Sequence, residues 1–348
     1  MAGRHGRRQP RQGRAAALPL AGMALAVLLL ALAGCGGSTY SGISSRPAPP
    51  ASEFPKPAGN LEDVYAQSDG ESPLVVLPTG KIFDKSSDRY GFGVFTAGRK
   101  QVTDAEVALY FAHGAKGKAI GPFPARVESL ATQPAFIAQT TGRDPLAAKV
   151  VYVTDEAPFD QLGEWRVLAV VREDGKLKAT LLPSAVVGHF PHAEKGFPQS
   201  AVNPPDVGER APDVHTPTPA SVGGDLAKID TRIPPDDMHE DLHTVLGRKP
   251  VVLIFATPQF CQSRICGPVV DEEEQVKQKF GDRVSFIHME IYNDNEPQKG
   301  VRPQVRAYHL TSEPWTFVID RHGVVRARFE GALSVKEMEA AVEKVAGA

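Results

Sequence analysis

The sequence predicts two folded domains behind an N-terminal apolar leader: an all-β sandwich over residues 71–190 and an α/β domain over residues 220–348. Three observations carry this reading. Short β-type runs punctuated by turn residues fill the first half. A continuous apolar run followed by a helix-start signal opens the second half. A Pro-rich stretch, residues 191–219, separates the two patterns.

The leader comes first. Arg4, Arg7, Arg8, Arg11 and Arg14 form a basic head, and an apolar run from Ala15 to Ala33 follows. It ends in Leu32-Ala33-Gly34-Cys35. A basic head, a short apolar core and a small-residue exit describe a secretory signal rather than a spanning helix. Leu-Ala-Gly-Cys resembles the lipobox of bacterial lipoproteins. The resemblance implies that residues 1–34 are removed and that Cys35 is lipidated. It places the protein on the extracytoplasmic face of a bacterial cell membrane, held by lipid.

Composition suits a soluble body behind that anchor. The chain has 348 residues, 42% hydrophobic and 23% charged, with a formal charge of −2. No later apolar stretch is long enough to span a bilayer. Near-neutral charge without a basic stripe excludes nucleic acid as a partner class. Oligomeric state leaves no signature in the sequence. Residues 35–70, rich in Gly, Ser, Pro and Ala, read as a disordered tether because they offer little apolar surface to bury.

The first domain follows. Leu74–Leu77, Tyr90–Phe95, Glu106–Phe111, Lys149–Thr154, Trp165–Val171 and Lys178–Leu182 are short β-type runs. Their number and spacing suggest an antiparallel sandwich of the immunoglobulin-like kind. It contains no repeat and no catalytic constellation.

In the second domain Pro250–Thr257 is apolar throughout, as a strand buried on both faces should be. A helix is expected from Pro268, with Asp271–Glu274 complementing its dipole. Val284–Tyr292 reads as a second strand, and Trp315–Asp320 with Val324–Glu330 as a hairpin. Val335, Met338, Val342 and Val345 share one face of a last helix. This order is α/β.

Cys35, Cys261 and Cys266 are the three cysteines. With Cys35 lipidated, a pair remains in an oxidising compartment. That pair lies between a buried strand and a helix N-terminus, where a thiolate is stabilised. Here the chain resembles the thioredoxin superfamily, especially its membrane-anchored extracytoplasmic members, from about Pro205 to Val345. The resemblance rests on the strand–Cys–helix junction, on Cys266-Gly267-Pro268, and on Glu313-Pro314-Trp315-Thr316-Phe317-Val318-Ile319-Asp320.

The resemblance implies a thiol–disulfide oxidoreductase with Cys261 and Cys266 as its catalytic pair. Exported protein thiols or disulfides would be its partners, and it would need no cofactor and no metal. Pro314 matches the family's cis-Pro, which binds substrate backbone. One departure stands out: four residues separate the cysteines, where the family has two. Strand-to-cysteine distance makes Cys261 the attacking thiol, whereas the match to Cys-Gly-Pro makes it Cys266. No buried acid is evident on the Val251–Phe255 strand.

Other readings compete. Cys261 and Cys266 could form a structural disulfide in a non-enzymatic surface binding or scaffold protein. With His288 and His309 they are similar to the site of Sco-like copper chaperones, since thiolate and imidazole suit copper. Pro258, Ser263 and Cys266 resemble a peroxiredoxin site with one residue too many. His239-Glu240-Asp241-Leu242-His243 has the spacing of a zinc-protease motif, but a solvated short helix over Asp237–Leu246 accounts for it as well.

Overall fold

The computed structural model describes residues 43–85, 89–189 and 192–347. Cys35, the leader over residues 1–34 and the first part of the tether lie outside the described residues. No described helix is long and apolar enough to cross a membrane. The described chain belongs to one compact unit.

After helix α1 (Leu61–Ala66), nine strands build the sandwich: β1 (Val75–Pro78), β2 (Ile82–Phe83), β3 (Tyr90–Phe95), β4 (Glu106–His113), β5 (Ile120–Pro124), β6 (Arg126–Ser129), β7 (Val150–Thr154), β8 (Gly163–Glu173) and β9 (Lys176–Val187). A short helix, α2 (Gln139–Gly142), lies between β6 and β7. One sheet has the order β1-β3-β7-β6 and the other β2-β9-β8-β4-β5. Tyr90, Phe92 and Val94 of one sheet pack against Val107, Leu109, Phe111 and Val167 of the other. Period-two alternation puts each set on one face.

Three of these strands escaped the sequence pattern. β5 and β6 are one extended run that changes sheets at Ala125: β5 pairs with β4 and β6 with β7. Pro122 and Pro124 disguise it, because proline lacks the ladder donor. The third, β2, is two residues long and pairs parallel with β9, so the sandwich is not wholly antiparallel.

The tether reading is corrected from residue 43 onward. Ala108, Tyr110 and Ala112 on the outer face of β4 need a cover, and Phe54, Leu61 and Val64 supply it. Asn60 caps α1 through a capping box with Asp63. The Tyr110 hydroxyl donates to the Pro55 carbonyl at 2.6 Å. Sparse apolar residues suffice when a sheet face awaits them.

The second half contains α3 (Leu242–Val245), β10 (Val251–Phe255), α4 (Cys266–Phe280), β11 (Ser285–Met289), α5 (Pro303–Ala307), β12 (Trp315–Ile319), β13 (Val325–Glu330) and α6 (Val335–Ala346). The sheet order is β11-β10-β12-β13. β10 and β11 are parallel, joined through α4, and the other pairs are antiparallel. Val252 and Ile254 face α4 and α6, while Val251, Leu253 and Phe255 face Val305 and Tyr308. Helix α4 starts two residues before Pro268, which sits in the first turn where no intrahelical N–H bond is lost. Asp271, Glu272 and Glu273 are buried rather than solvated near the helix start.

The two halves share a core. Leu130, Ala148, Val151 and Val153 of the sandwich pack in one cluster with Val269 of α4 and Val342 of α6. Ion pairs reinforce the seam: Glu337 accepts from Arg89 at 2.8 Å and from Arg126 at 3.0 Å. Glu330 Oε2 accepts the backbone N–H groups of Lys81 and Ile82. The Pro-rich stretch runs along the α/β half, with Glu194 N–H donating to Thr311 O and Ala211 N–H to Gly323 O.

Burial pushes the Glu337 carboxyl up, but the charge and hydrogen bond of Arg89, the Ser334 N–H and the Arg126 charge outweigh it and hold it at about 2. A depressed carboxyl stabilises the fold above its unfolded value of 4.5 and loses that contribution as pH falls towards 2. Glu337→Gln leaves Arg89 without its carboxylate partner, while Arg126 keeps Glu128 and Asp155, and should cost about 3 kcal/mol at pH 7. Chemical denaturation from pH 7 to pH 3 checks this. The gap between wild type and variant should narrow with acidification, and a constant gap would refute the assignment.

Candidate functional site

Strand β10 delivers the chain to Thr257, whose carbonyl accepts the N–H groups of Phe260 and Cys261. The loop then passes through Arg264, which has a left-handed φ of 61°. Arg264 is held from the sandwich side: its carbonyl accepts the Ala148 N–H at 3.0 Å, and its guanidinium meets Asp144 at 3.3 Å. Gly267 allows the same approach, since a Cβ there would lie 2.7 Å from Thr141 Oγ1. The four-residue spacer is therefore braced by the other domain.

Cys261 and Cys266 are free thiols in this structure. Cys261 is 4% exposed and Cys266 is fully buried. The Cys266 backbone N–H, at the start of α4, donates to Cys261 Sγ at 3.2 Å, and the Ser263 hydroxyl lies 3.2 Å from the same sulfur. Burial pushes the Cys261 thiol up, yet hydrogen bonds from the Cys266 thiol, Ser263 and the Cys266 and Ile265 N–H groups bring it down to about 7. Cys266 moves the other way, raised well above the usual thiol value by burial and by the Cys261 sulfur. The two thiols are chemically unlike.

A carboxyl completes the site. A Glu313 oxygen and both sulfurs lie within 4.8 Å of one another. Glu313 is buried, and its Oε2 has no hydrogen-bond partner among the described residues. Burial, then the Cys261 charge, raises its pKa well above the usual carboxylate range. The Glu313–Pro314 peptide is cis. Sequence reasoning sought a buried acid on β10 and missed this one, although an acid just before Pro314 and an apolar strand was visible.

A second layer supports the loop. Thr231 Oγ1 accepts the Gln259 N–H at 3.1 Å, and Thr231 itself donates to Glu290 from both its N–H and its hydroxyl. Beyond it, Asp230, Asp236, His239 and His288 form a buried alternating network. Burial pushes His288 down, but the charge and hydrogen bond of Asp236, with Asp230 and Glu290, raise it to about 10.

The competing motifs come apart in the structure. His288 engages Asp236 through Nδ1 and the Ala256 carbonyl through Nε2, and His309 lies beside Ser200. Neither joins the cysteines in a ligand-like group among the described residues. His239 points into the Asp230–Asp236 network while His243 bonds Asp213, so the zinc-protease spacing does not converge. The expected helix there shrinks to α3, because Asp241 caps it from outside. The Ser263 hydroxyl serves Cys261 rather than Cys266, against the peroxiredoxin register.

Beside the cysteines opens a cleft of about 430 Å³ between the two halves. Ser263, Ile265 and Glu313 form one wall, and Leu77, Thr79 and Tyr90 the other.

Residues 240–346 match the Thioredoxin-like domain family. This C-terminal segment is a thioredoxin-like domain. Similar solved structures include a thiol:disulfide interchange protein of the thioredoxin family from Chlorobium tepidum TLS. It is 16% identical, covers 42% of this chain and 100% of its own, and has a TM-score of 0.29. Another, from Chlorobium tepidum, is named as a thiol:disulfide interchange protein DsbE. It is 17% identical, covers 41% of this chain and 99% of its own, and has a TM-score of 0.30. No curated protein matches the chain significantly. The thioredoxin-like assignment rests on the domain match and on the strand order.

The inequality of the thiols in this thioredoxin-like domain is measurable. Thiolate absorbance near 240 nm in the reduced protein should rise with a midpoint about 7, and Cys261→Ser should remove that step. A single step above pH 8 in the wild type would show that Cys261 is an ordinary thiol.

Proposed function

We propose that the protein is an extracytoplasmic, membrane-anchored thiol–disulfide oxidoreductase, with Cys261 as the attacking thiol and Cys266 as the resolving thiol. The observation that carries this reading is the unequal pair. The Cys266 N–H at a helix start and the Ser263 hydroxyl both lie 3.2 Å from the Cys261 sulfur, which lowers its pKa, while burial raises that of Cys266.

The chemistry follows from that inequality. The Cys261 thiolate attacks one sulfur of a client disulfide. The client S–S bond breaks, a mixed disulfide forms, and the other client sulfur leaves as a thiolate that takes a proton from water. Forming the mixed disulfide removes the charge on Cys261, one of the causes that keep Glu313 protonated. With that charge gone Glu313 can give up its proton to solvent, and the carboxylate left beside Cys266 can take the thiol proton. The Cys266 thiolate attacks Cys261, closing the intramolecular disulfide and releasing the client's second thiol. Two electrons pass from the protein to the client, and the same steps run backwards oxidise a client. Pro314, next to Glu313, would bind client backbone in the manner of thioredoxins. Lipidated Cys35 would hold the protein at the membrane.

Single-cysteine variants test the roles. Cys266→Ser should accumulate a mixed disulfide with a disulfide client, while Cys261→Ser should accumulate none. Glu313→Gln should leave formation of the mixed disulfide unchanged and slow its resolution about 100-fold. Rapid-quench mass spectrometry separates the two steps. If both single-cysteine variants trap clients equally, or the oxidised wild type shows no exchange with dithiothreitol, the reading fails. The anchor is tested separately: Cys35→Ser should free the protein from membranes, and unaltered retention would remove the lipid.

A further inference from the structure

The surroundings of the cysteines limit what can reach them. Cys261 is only 4% exposed, and the sandwich wall of the cleft is fixed to the thioredoxin-like domain. Glu330 clamps the Lys81 and Ile82 N–H groups at 2.7 and 2.8 Å, and Gly331 lies so close to Thr79 that a Cβ there would sit 2.2 Å from its carbonyl oxygen. The narrow exposure of Cys261 favours a client segment that can leave a folded surface and enter the cleft.

The cleft also continues. It shares Leu77 and Pro183 with a groove of about 700 Å³ between β1 and β9. Val75 and Leu77, alternate residues of β1, are 42% and 44% exposed there, and Leu181 of β9 is 56% exposed. β1 ends its sheet, so no described strand is hydrogen-bonded along its outer edge; β9 lies across the groove, joined to the chain just before β1 at the Glu71–Ala179 bridge. An edge strand with outward apolar side chains at period two is the surface that receives an extended polypeptide. A small thiol would fill the cleft and leave this groove empty.

Building on the oxidoreductase reading, we infer that the client is an extended, unfolded polypeptide segment. It brings its cysteine disulfide to Cys261 and lays neighbouring apolar residues along β1 against Val75, Leu77 and Leu181. The sandwich is then the client-binding half of the enzyme. Exchange follows the balanced steps given above: the client disulfide is reduced to two thiols as Cys261 and Cys266 become a disulfide.

The test uses the reduced full-length protein and three disulfides: cystine, cysteine disulfide-linked to a linear peptide whose cysteine is flanked by Leu and Val, and a folded protein with a surface disulfide. Oxidation of the pair is followed by stopped-flow. The linear peptide should react at least about tenfold faster than cystine, and the folded protein more slowly than either. In Val75→Ser/Leu181→Ser the ratio of peptide to cystine rates should fall towards one. A ratio near one in the wild type overturns the inference in favour of a small-molecule client, as does a ratio unmoved by the double variant. Equal reaction with the folded protein overturns it by showing that the cleft does not select. Dithiothreitol exchange separates the levels: a pair that exchanges with dithiothreitol but shows no peptide preference sinks only this inference. One that exchanges with nothing sinks the oxidoreductase reading and this inference together.

Discussion

A thiolate buried beneath two domains survives only if donors replace the water it has lost. The bond from the Cys266 N–H to Cys261 Sγ is the constraint on which the site depends. It requires that a helix begin at Cys266, that the loop before it double back, and that both be held still. Burial alone would raise both thiols together. Donors aimed at one sulfur separate them, and the separation distinguishes an attacking thiol from a resolving one.

That stillness is imposed from a distance. A spacer of four residues is longer than the turn it replaces, and Arg264 takes a left-handed conformation to close it. The sandwich fixes that conformation through Ala148 and Asp144, and the seam at Arg89, Arg126 and Glu337 fixes the sandwich. A lengthened cysteine loop and a fused second domain are thus mechanically linked. Removing the sandwich would free the loop at the point where the thiol inequality is set.

What could be read from the sequence follows the range of each interaction. β10 was legible because a strand buried on both faces writes an unbroken apolar run, and α6 because Met338, Val342 and Val345 repeat at helical spacing. The cysteine pair was legible from its place between these signals. The ordered segment after residue 43 was not, because the surface that Phe54, Leu61 and Val64 cover belongs to strands about 50 to 130 residues later in the chain. β5 was hidden by its prolines. Glu313 was overlooked because an acid before a proline reads locally as loop, and only the fold carries it to the sulfurs. The assignment of the attacking thiol stayed open for the same reason. Counting residues gives no hydrogen-bond donors, whereas the fold points Ser263 at Cys261.

Two carboxyls show how one element can serve stability and chemistry in opposite ways. Glu337 is ionised because two arginines converge on it, and its charge ties the domains together. Glu313 is as deeply placed, and burial, with the Cys261 sulfur and the acids Glu194 and Glu290 as charged neighbours, favours its protonated form. An anion in the seam adds strength whenever the protein is folded. A neutral acid beside a thiolate is responsive, because its proton affinity falls when the thiolate is consumed. In the proposed cycle, the environment that makes Glu313 costly to ionise at rest would couple its ionisation to formation of the mixed disulfide. A carboxyl with an arginine partner at that position would stay charged throughout, repelling the Cys261 thiolate and giving the cycle no timing.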